Sequence, residues 1–152
     1  MMLNQKPTFR QAVFIVTYRI IPKINKVEYL ILKRKKHWKG WEFPKGGIDK
    51  GEDMFNTARR EAREESGIKP IKIRRFSVSG KYLYPHKLRD RPGKIGQTYT
   101  LFSAEVPFGK KTKIDASEHS NYLWTSYEHA VKLVRYQNQK RCLGIVNKSL
   151  MG

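Results

Sequence analysis

Residues Gly46 to Ile68 read GGIDKGEDMFNTARREAREESGI. A glycine turn opens the stretch, and Glu52 or Asp53 places acidic side chains at the positive end of a following helix. That helix is expected to run to about Ser66, with Gly67 as its terminator. At ~100° per residue, Glu61, Glu64 and Glu65 share one sector about 100° wide. Met54, Ala58 and Ala62 fall in the adjacent sector and can pack on a sheet, while Arg59 and Arg63 point away. Three carboxylates so close repel one another and raise each other's pKa, and a bound hard cation removes that penalty. The alternative for such a face is a solvated one with salt bridges to Arg60, Lys69 or neighbouring arginines.

The rest of the chain bounds the reading. Its 152 residues, 39% hydrophobic and without a low-complexity tract, suit a single domain over residues 1–152 with a flexible lead over residues 1–8. No apolar run is long enough to span a bilayer, and the N-terminus lacks the pattern of a secretory signal. The single cysteine, Cys142, allows no internal disulfide and no thiolate zinc site. A cytoplasmic protein without a membrane partner is expected. Thirty-two Lys and Arg against 13 Asp and Glu leave a formal charge of +19, a field that draws in polyanions. Nucleic acid, nucleoside polyphosphates and inositol polyphosphates all qualify.

Gln11–Tyr18 and Val27–Lys33 read as two strands of a hairpin, and the segment Pro44 to Gly47 as a tight loop. Ile71–Tyr84 supplies a strand or two, Pro85–Gly96 a basic loop too polar for core, and Gln97–Val106 a further strand. Tyr122–Thr125 is a short strand, a helix follows from Ser126, and a last helix spans about Gln139 to Leu150. The order is mixed α+β.

Gly46, five residues, Glu52, seven residues, then Arg60-Glu61-Ala62-Arg63-Glu64-Glu65-Ser66-Gly67-Ile68 resembles the Nudix box, G-x5-E-x7-R-E-U-x-E-E-x-G-U, at every fixed position. The resemblance extends over nearly the whole chain. It implies an α/β/α sandwich with a mixed sheet, and hydrolysis of phosphoanhydride bonds. It further implies Mg²⁺ or Mn²⁺ held by Glu61, Glu64, Glu65 and the Gly46 carbonyl, with Glu52 and Arg60 as a structural brace. Glu64 or Glu65 would take the proton from the attacking water. Glu118, six residues before Trp124, resembles an added metal ligand of RNA 5′-pyrophosphohydrolases, and is otherwise an ordinary loop acid.

The substrate is read from outside the box. Trp41-Glu42-Phe43-Pro44-Lys45-Gly46-Gly47 is similar to segments of both asymmetric dinucleoside tetraphosphate hydrolases and RNA pyrophosphohydrolases. Lys45, Gly47, Lys33 and Arg34 are candidate phosphate binders. Tyr82, Tyr84 and Tyr99 are candidates to stack on a base, though a core role competes for each. A dinucleoside tetraphosphate is the expected substrate, followed by RNA 5′ ends and then by diphosphoinositol phosphates. A Nudix-fold protein that binds nucleotide without cleaving it is the alternative of a different class. The residues leave the oligomeric state open.

Overall fold

The computed structural model describes residues 6–152. The lead expected over residues 1–8 lies mostly outside them, and its last residue already belongs to a strand. Thr8–Ile21 (β1) is the spine of a seven-stranded mixed sheet. Lys26–Arg34 (β2) folds back on it as the expected hairpin, pairing Tyr18 with Tyr29. Gly40–Glu42 (β3) and Lys45–Gly47 (β4) follow, then the helix Met54–Ser66 (α1). Lys72–Leu83 (β5), Lys94–Glu105 (β6) and His119–Thr125 (β7) complete the sheet. Tyr127–Leu133 (α2) and Gln137–Met151 (α3) end the chain. The main order is β3-β2-β1-β6-β5, with β4 paired to β1 and β7 to β2. Among the described strands only β1 and β6 pair in parallel; the other pairs are antiparallel.

The layering follows from the two-residue period of β1. Val13 and Ile15 face α1, where they meet Ala58, Ala62, Phe102 and Ala104. Phe14, Val16 and Tyr18 face the opposite way, into a cluster with Ala130, Val134, Cys142, Leu143 and Val146. Helices thus cover both faces, and the architecture is an α/β/α sandwich. No helix among the described residues is long and apolar enough to cross a membrane.

Several boundaries differ from the sequence reading. Lys45–Gly47 is not a tight loop: Pro44 lacks an amide proton, but the next three residues are extended and pair with Ala12 to Phe14. The basic loop after β5 buries Leu88, so it is not wholly outside the core. The helix from Ser126 is short, and α3 begins two residues early and runs through Gly144. At the boundary that matters most, the α1 ends, the pattern holds. The Asp53 side chain accepts from the Asn56 amide, and Gly67 takes φ 75°, the left-handed conformation suited to glycine.

Candidate active site

The α1 carboxylates are graded in exposure. With Ala58 and Ala62 turned to the sheet, Glu65 is carried beneath β4 and is buried. Glu65 Oε2 accepts from the Lys45 amide at 3.3 Å, while Oε1 is buried and has no partner among the described residues. Glu61 is largely covered, and its carboxylate packs directly on Gly46. An ideal Cβ on Gly46 would stand 2.1 Å from the Glu61 carboxyl carbon, so any side chain here would displace the Glu61 carboxylate. Glu64 is the open member, with 57% of its side chain exposed.

Arg60 organises the outer edge. Its Nε and Nη2 each donate to one Glu52 carboxylate oxygen at 2.9 Å, a bidentate pair. Its Nη1 reaches Glu61 at 2.8 Å and Glu64 at 3.3 Å, and Nη2 also donates to the Gly47 carbonyl at 3.3 Å. The brace between Glu52 and Arg60 therefore ties the β4 backbone to the carboxylate face of α1. The Arg60 hydrogen bonds, with Thr57 and the Asp49 amide, lower the Glu52 carboxyl to about 2.

Burial raises the Glu61 carboxyl to about 7; Arg60 opposes this, and Glu64 and Glu118 add to it. Glu65 is raised well above the ordinary range by burial first, then by Glu61, Glu42 and Glu118. Glu118 thus bears on the same group of charges, from a loop position 3.9 Å from Arg34. Among the described residues no three acidic, imidazole or thiol groups already converge as a closed metal site. The donor chemistry nevertheless fits a hard divalent cation. It is all oxygen, mutually repelling, and includes one buried carboxylate oxygen without a hydrogen-bond partner among the described residues.

On the far side of β4 lies a second feature, a cavity of about 360 Å³. Trp38, Tyr82, Tyr84 and Tyr136 supply its aromatic walls, and Lys45 closes one side. Lys45 is buried rather than extended into solvent. Its ammonium sits 3.4 Å from Glu42 and 4.3 Å from the Trp38 ring centre. Since the Lys45 amide also binds Glu65, one residue joins the cavity to the carboxylates.

Residues 10–143 match the NUDIX domain family. The chain belongs to the Nudix family. It is a Nudix hydrolase, and members of the family generally use divalent metal ions. An asymmetrical bis(5′-nucleosyl)-tetraphosphatase of Mus musculus is 30% identical over 127 residues, covering 82% of each chain. An RNA pyrophosphohydrolase of Nitratiruptor sp. is 31% identical over 116 residues, covering 74% of this chain and 75% of that one. Among solved structures, a C. elegans Ap4A hydrolase in a binary complex has a TM-score of 0.73 at 24% identity, covering 94% of this chain and 98% of that one. The E. coli dihydroneopterin triphosphate pyrophosphohydrolase has a TM-score of 0.74 at 20% identity, covering 91% of this chain and 96% of that one. These two likenesses show a shared Nudix fold.

Several sequence candidates sit elsewhere than expected. Arg34 is buried and already bonded to Glu42, the Lys36 carbonyl and His37. Lys33 is exposed on the same strand. Gly47 is buried, with the Arg10 guanidinium lying against it. Tyr99 stacks on Phe14 at 4.0 Å inside the core and does not line the cavity, because its β6 position pairs with the inner stretch of β1. Tyr82 and Tyr84 do line it, although the Tyr84 hydroxyl is already engaged by Arg91 and Gln97.

The sequence reading of this Nudix chain gave Glu42 no role of its own and did not name His119. Glu42 accepts from His119 at 2.9 Å and from Arg34 and Trp38 at 3.2 Å, forming a buried charge cluster. The signal available was an acid inside a run of bulky apolar residues, Trp41-Glu42-Phe43, where an unpaired charge could not stand. His37 was also missed as a link between loops: its Nε2 lies 2.9 Å from both Asp90 carboxylate oxygens. It fastens the loop carrying Trp38 to the loop that follows Tyr84.

Proposed function

We propose that the chain is a single-domain cytoplasmic hydrolase of nucleoside polyphosphates, acting with Mg²⁺ or Mn²⁺ and foremost on dinucleoside tetraphosphates. One observation carries the reading. An aromatic cavity sized for a small ligand meets the carboxylate face of α1 through Lys45, whose side chain borders the cavity and whose amide binds Glu65. A base stacked on Trp38, Tyr82 or Tyr84 would extend its phosphate chain towards Glu61, Glu64 and Glu65. These carboxylates, with the Gly46 carbonyl, would hold the cation, and Glu118 stands near enough to add its charge.

A divalent cation bound there neutralises phosphate oxygens and acidifies a water. The chain's own work is positional and protonic. Glu64 or Glu65 takes a proton as the water oxygen bonds to phosphorus and the bridging oxygen departs with its phosphate group. The Glu52–Arg60 brace keeps Gly46 against Glu61 so that the carboxylates stay aligned. The surrounding positive charge speeds the arrival of the polyanion.

RNA 5′ ends are a second reading, favoured by Glu118, whose charge acts on Glu61 and Glu65 as an added member of the group would. Diphosphoinositol phosphates have less support, since aromatic walls offer them nothing. The deciding experiment is a competition among diadenosine tetraphosphate, 5′-triphosphate RNA and a diphosphoinositol phosphate at physiological salt, with Mg²⁺ or Mn²⁺. The dinucleotide is expected to be cleaved fastest. Faster cleavage of the RNA would move the assignment to the second reading, and no turnover of any substrate would overturn hydrolysis in favour of binding alone.

A further inference from the structure

Two hollows, of about 660 and 620 Å³, lie on the side of α1 that carries Arg59 and Arg63. They share Gly67, Lys69 and Pro70, so together they form one groove that passes the C-terminal end of the helix. Arg60 and Glu64 line its near end, which therefore opens on the carboxylate face. Lys110 and Lys111 line its far end, on a loop held to the helix by the Lys113 amide, which donates to the Ser66 carbonyl at 2.8 Å. Arg60 is paired with Glu52, Glu61 and Glu64, but among the described residues Arg59, Arg63, Lys69, Lys110 and Lys111 form no ion pair. All of these unpaired cations are exposed, and the one acid lining the groove, Glu64, already lies 3.3 Å from Arg60. Nor does the helix need them at its negative end. The Ala62, Arg63 and Ser66 carbonyls already accept from the Ser66 hydroxyl and the Gly67 and Lys113 amides.

Like charges gathered along a groove repel one another, and an anionic chain laid among them removes that repulsion. The shape favours a chain over a membrane: anionic lipid recruits a protruding face, whereas these cations line a concave channel. Exposed aromatic rings flank the basic residues. Phe108 is 45% exposed beside Pro107, and Phe55 is 38% exposed beside Asn56, and both Pro107 and Asn56 line the groove. Basic side chains that track a phosphate backbone, with aromatic rings beside them for the bases, are the pattern of single-strand binding. An acidic peptide has no use for the rings. We propose that this groove binds the sugar–phosphate backbone of single-stranded nucleic acid, with Arg63, Lys69 and Lys111 as phosphate contacts. The surface lies outside the aromatic cavity, and its binding needs neither the cation nor hydrolysis. It goes beyond the hydrolase reading and stands apart from it.

The probe is a fluorescein-labelled 5′-hydroxyl RNA of about 10 nucleotides, titrated in EDTA between about 50 and 200 mM salt. Such an RNA has no phosphoanhydride to cleave, so binding is read without turnover. Arg63→Ala/Lys69→Ala/Lys111→Ala should weaken binding about 10-fold or more at physiological salt. With one phosphate contact per residue, it should also reduce the slope of log affinity on log salt by about 2. Lys26→Ala/Lys132→Ala/Lys148→Ala removes the same charge from exposed positions off the groove and should change affinity by less than about threefold. Equal losses in the two triple variants would overturn the proposal, because the overall field would then account for binding. Failure of the wild-type protein to bind the RNA would overturn it too, as would tighter binding of polyglutamate or of phosphatidylserine vesicles. Melting temperatures verify folding. Lys110→Ala/Lys111→Ala, confined to a loop, repeats the test if the groove variant unfolds, with the slope expected to fall by about 1. In Mg²⁺ the groove variant should cleave diadenosine tetraphosphate with kcat within about twofold of wild type. No turnover by either protein, with RNA binding lost only in the groove variant, would overturn the hydrolase reading while supporting the groove.

Discussion

The Lys45 ammonium lies 3.4 Å from the Glu42 carboxylate, and both side chains are buried. Burial alone would raise the Glu42 carboxyl, yet Lys45, His119 and Arg34 outweigh it and hold the group at about 2. Burial lowers the Lys45 ammonium, and Glu42 opposes that. Glu42→Gln would leave two buried cations without their shared anion. The expected loss is about 3–5 kcal/mol, a fall in Tm on the order of 10 °C. The double variant Glu42→Gln/Lys45→Met should recover part of that loss, because one stranded charge is removed with its partner. Thermal melts of the two proteins check this, and a Glu42→Gln protein as stable as wild type would contradict the buried-cluster assignment.

The hydrolase reading places the chemistry on the α1 carboxylates. Glu64→Gln and Glu65→Gln should each lower kcat by at least ~100-fold, the scale of losing a key electrostatic group. Glu64 is exposed, so its variant should keep the wild-type melting temperature. Steady-state kinetics with circular dichroism measure both quantities. Near-normal rates in the two variants would remove the site from this face.

Gly46 is a close-approach position rather than a turn requirement. A methyl group there would stand inside the Glu61 carboxyl, with carbon atoms 2.1 Å apart. Gly46→Ala should therefore push Glu61 off its place and reduce kcat by roughly 100-fold or more. The β4–β1 pairing can survive, since it uses only backbone groups. An active Gly46→Ala enzyme would show that Glu61 need not lie against this glycine.

Acid should unfold the protein through two carboxylates with depressed pKa. Glu42 and Glu52 both sit at about 2 in the folded state, against an ordinary value of 4.5. A group with a lowered folded pKa contributes stability above its unfolded value and loses it as pH falls through the folded one. The part of the stability that Glu42 and Glu52 contribute should therefore be complete above about pH 4.5 and decline from there towards about pH 2. The raised Glu61 and Glu65 carboxyls instead cost stability as pH rises above about 4.5. Denaturant titrations at several pH values should show this slope, and Glu42→Gln should flatten it. A profile unchanged between about pH 5 and 3 would count against both pairings.

Much of this was legible from residue order because the interactions concerned are local. The α1 ends, its apolar stripe and its carboxylate sector all follow from 3.6-residue geometry and capping within one short segment. The short extended segments around Pro44 were not legible. Lys45–Gly47 has no strand composition of its own, and only pairing with β1 makes it extended. Glu42 and His119 stand 77 residues apart, so their meeting had no local sign.

Sequence by itself determined the family, the chemistry and the carboxylates expected to carry it, because spacing along one helix dictates which side chains share a face. Tertiary structure decided how those carboxylates differ, with Glu65 buried, Glu61 against Gly46 and Glu64 open. It also decided that Tyr82 and Tyr84 line a cavity while Tyr99 fills the core. The physical reason is distance: burial and hydrogen-bond partners are set by strands and helices that meet only after folding.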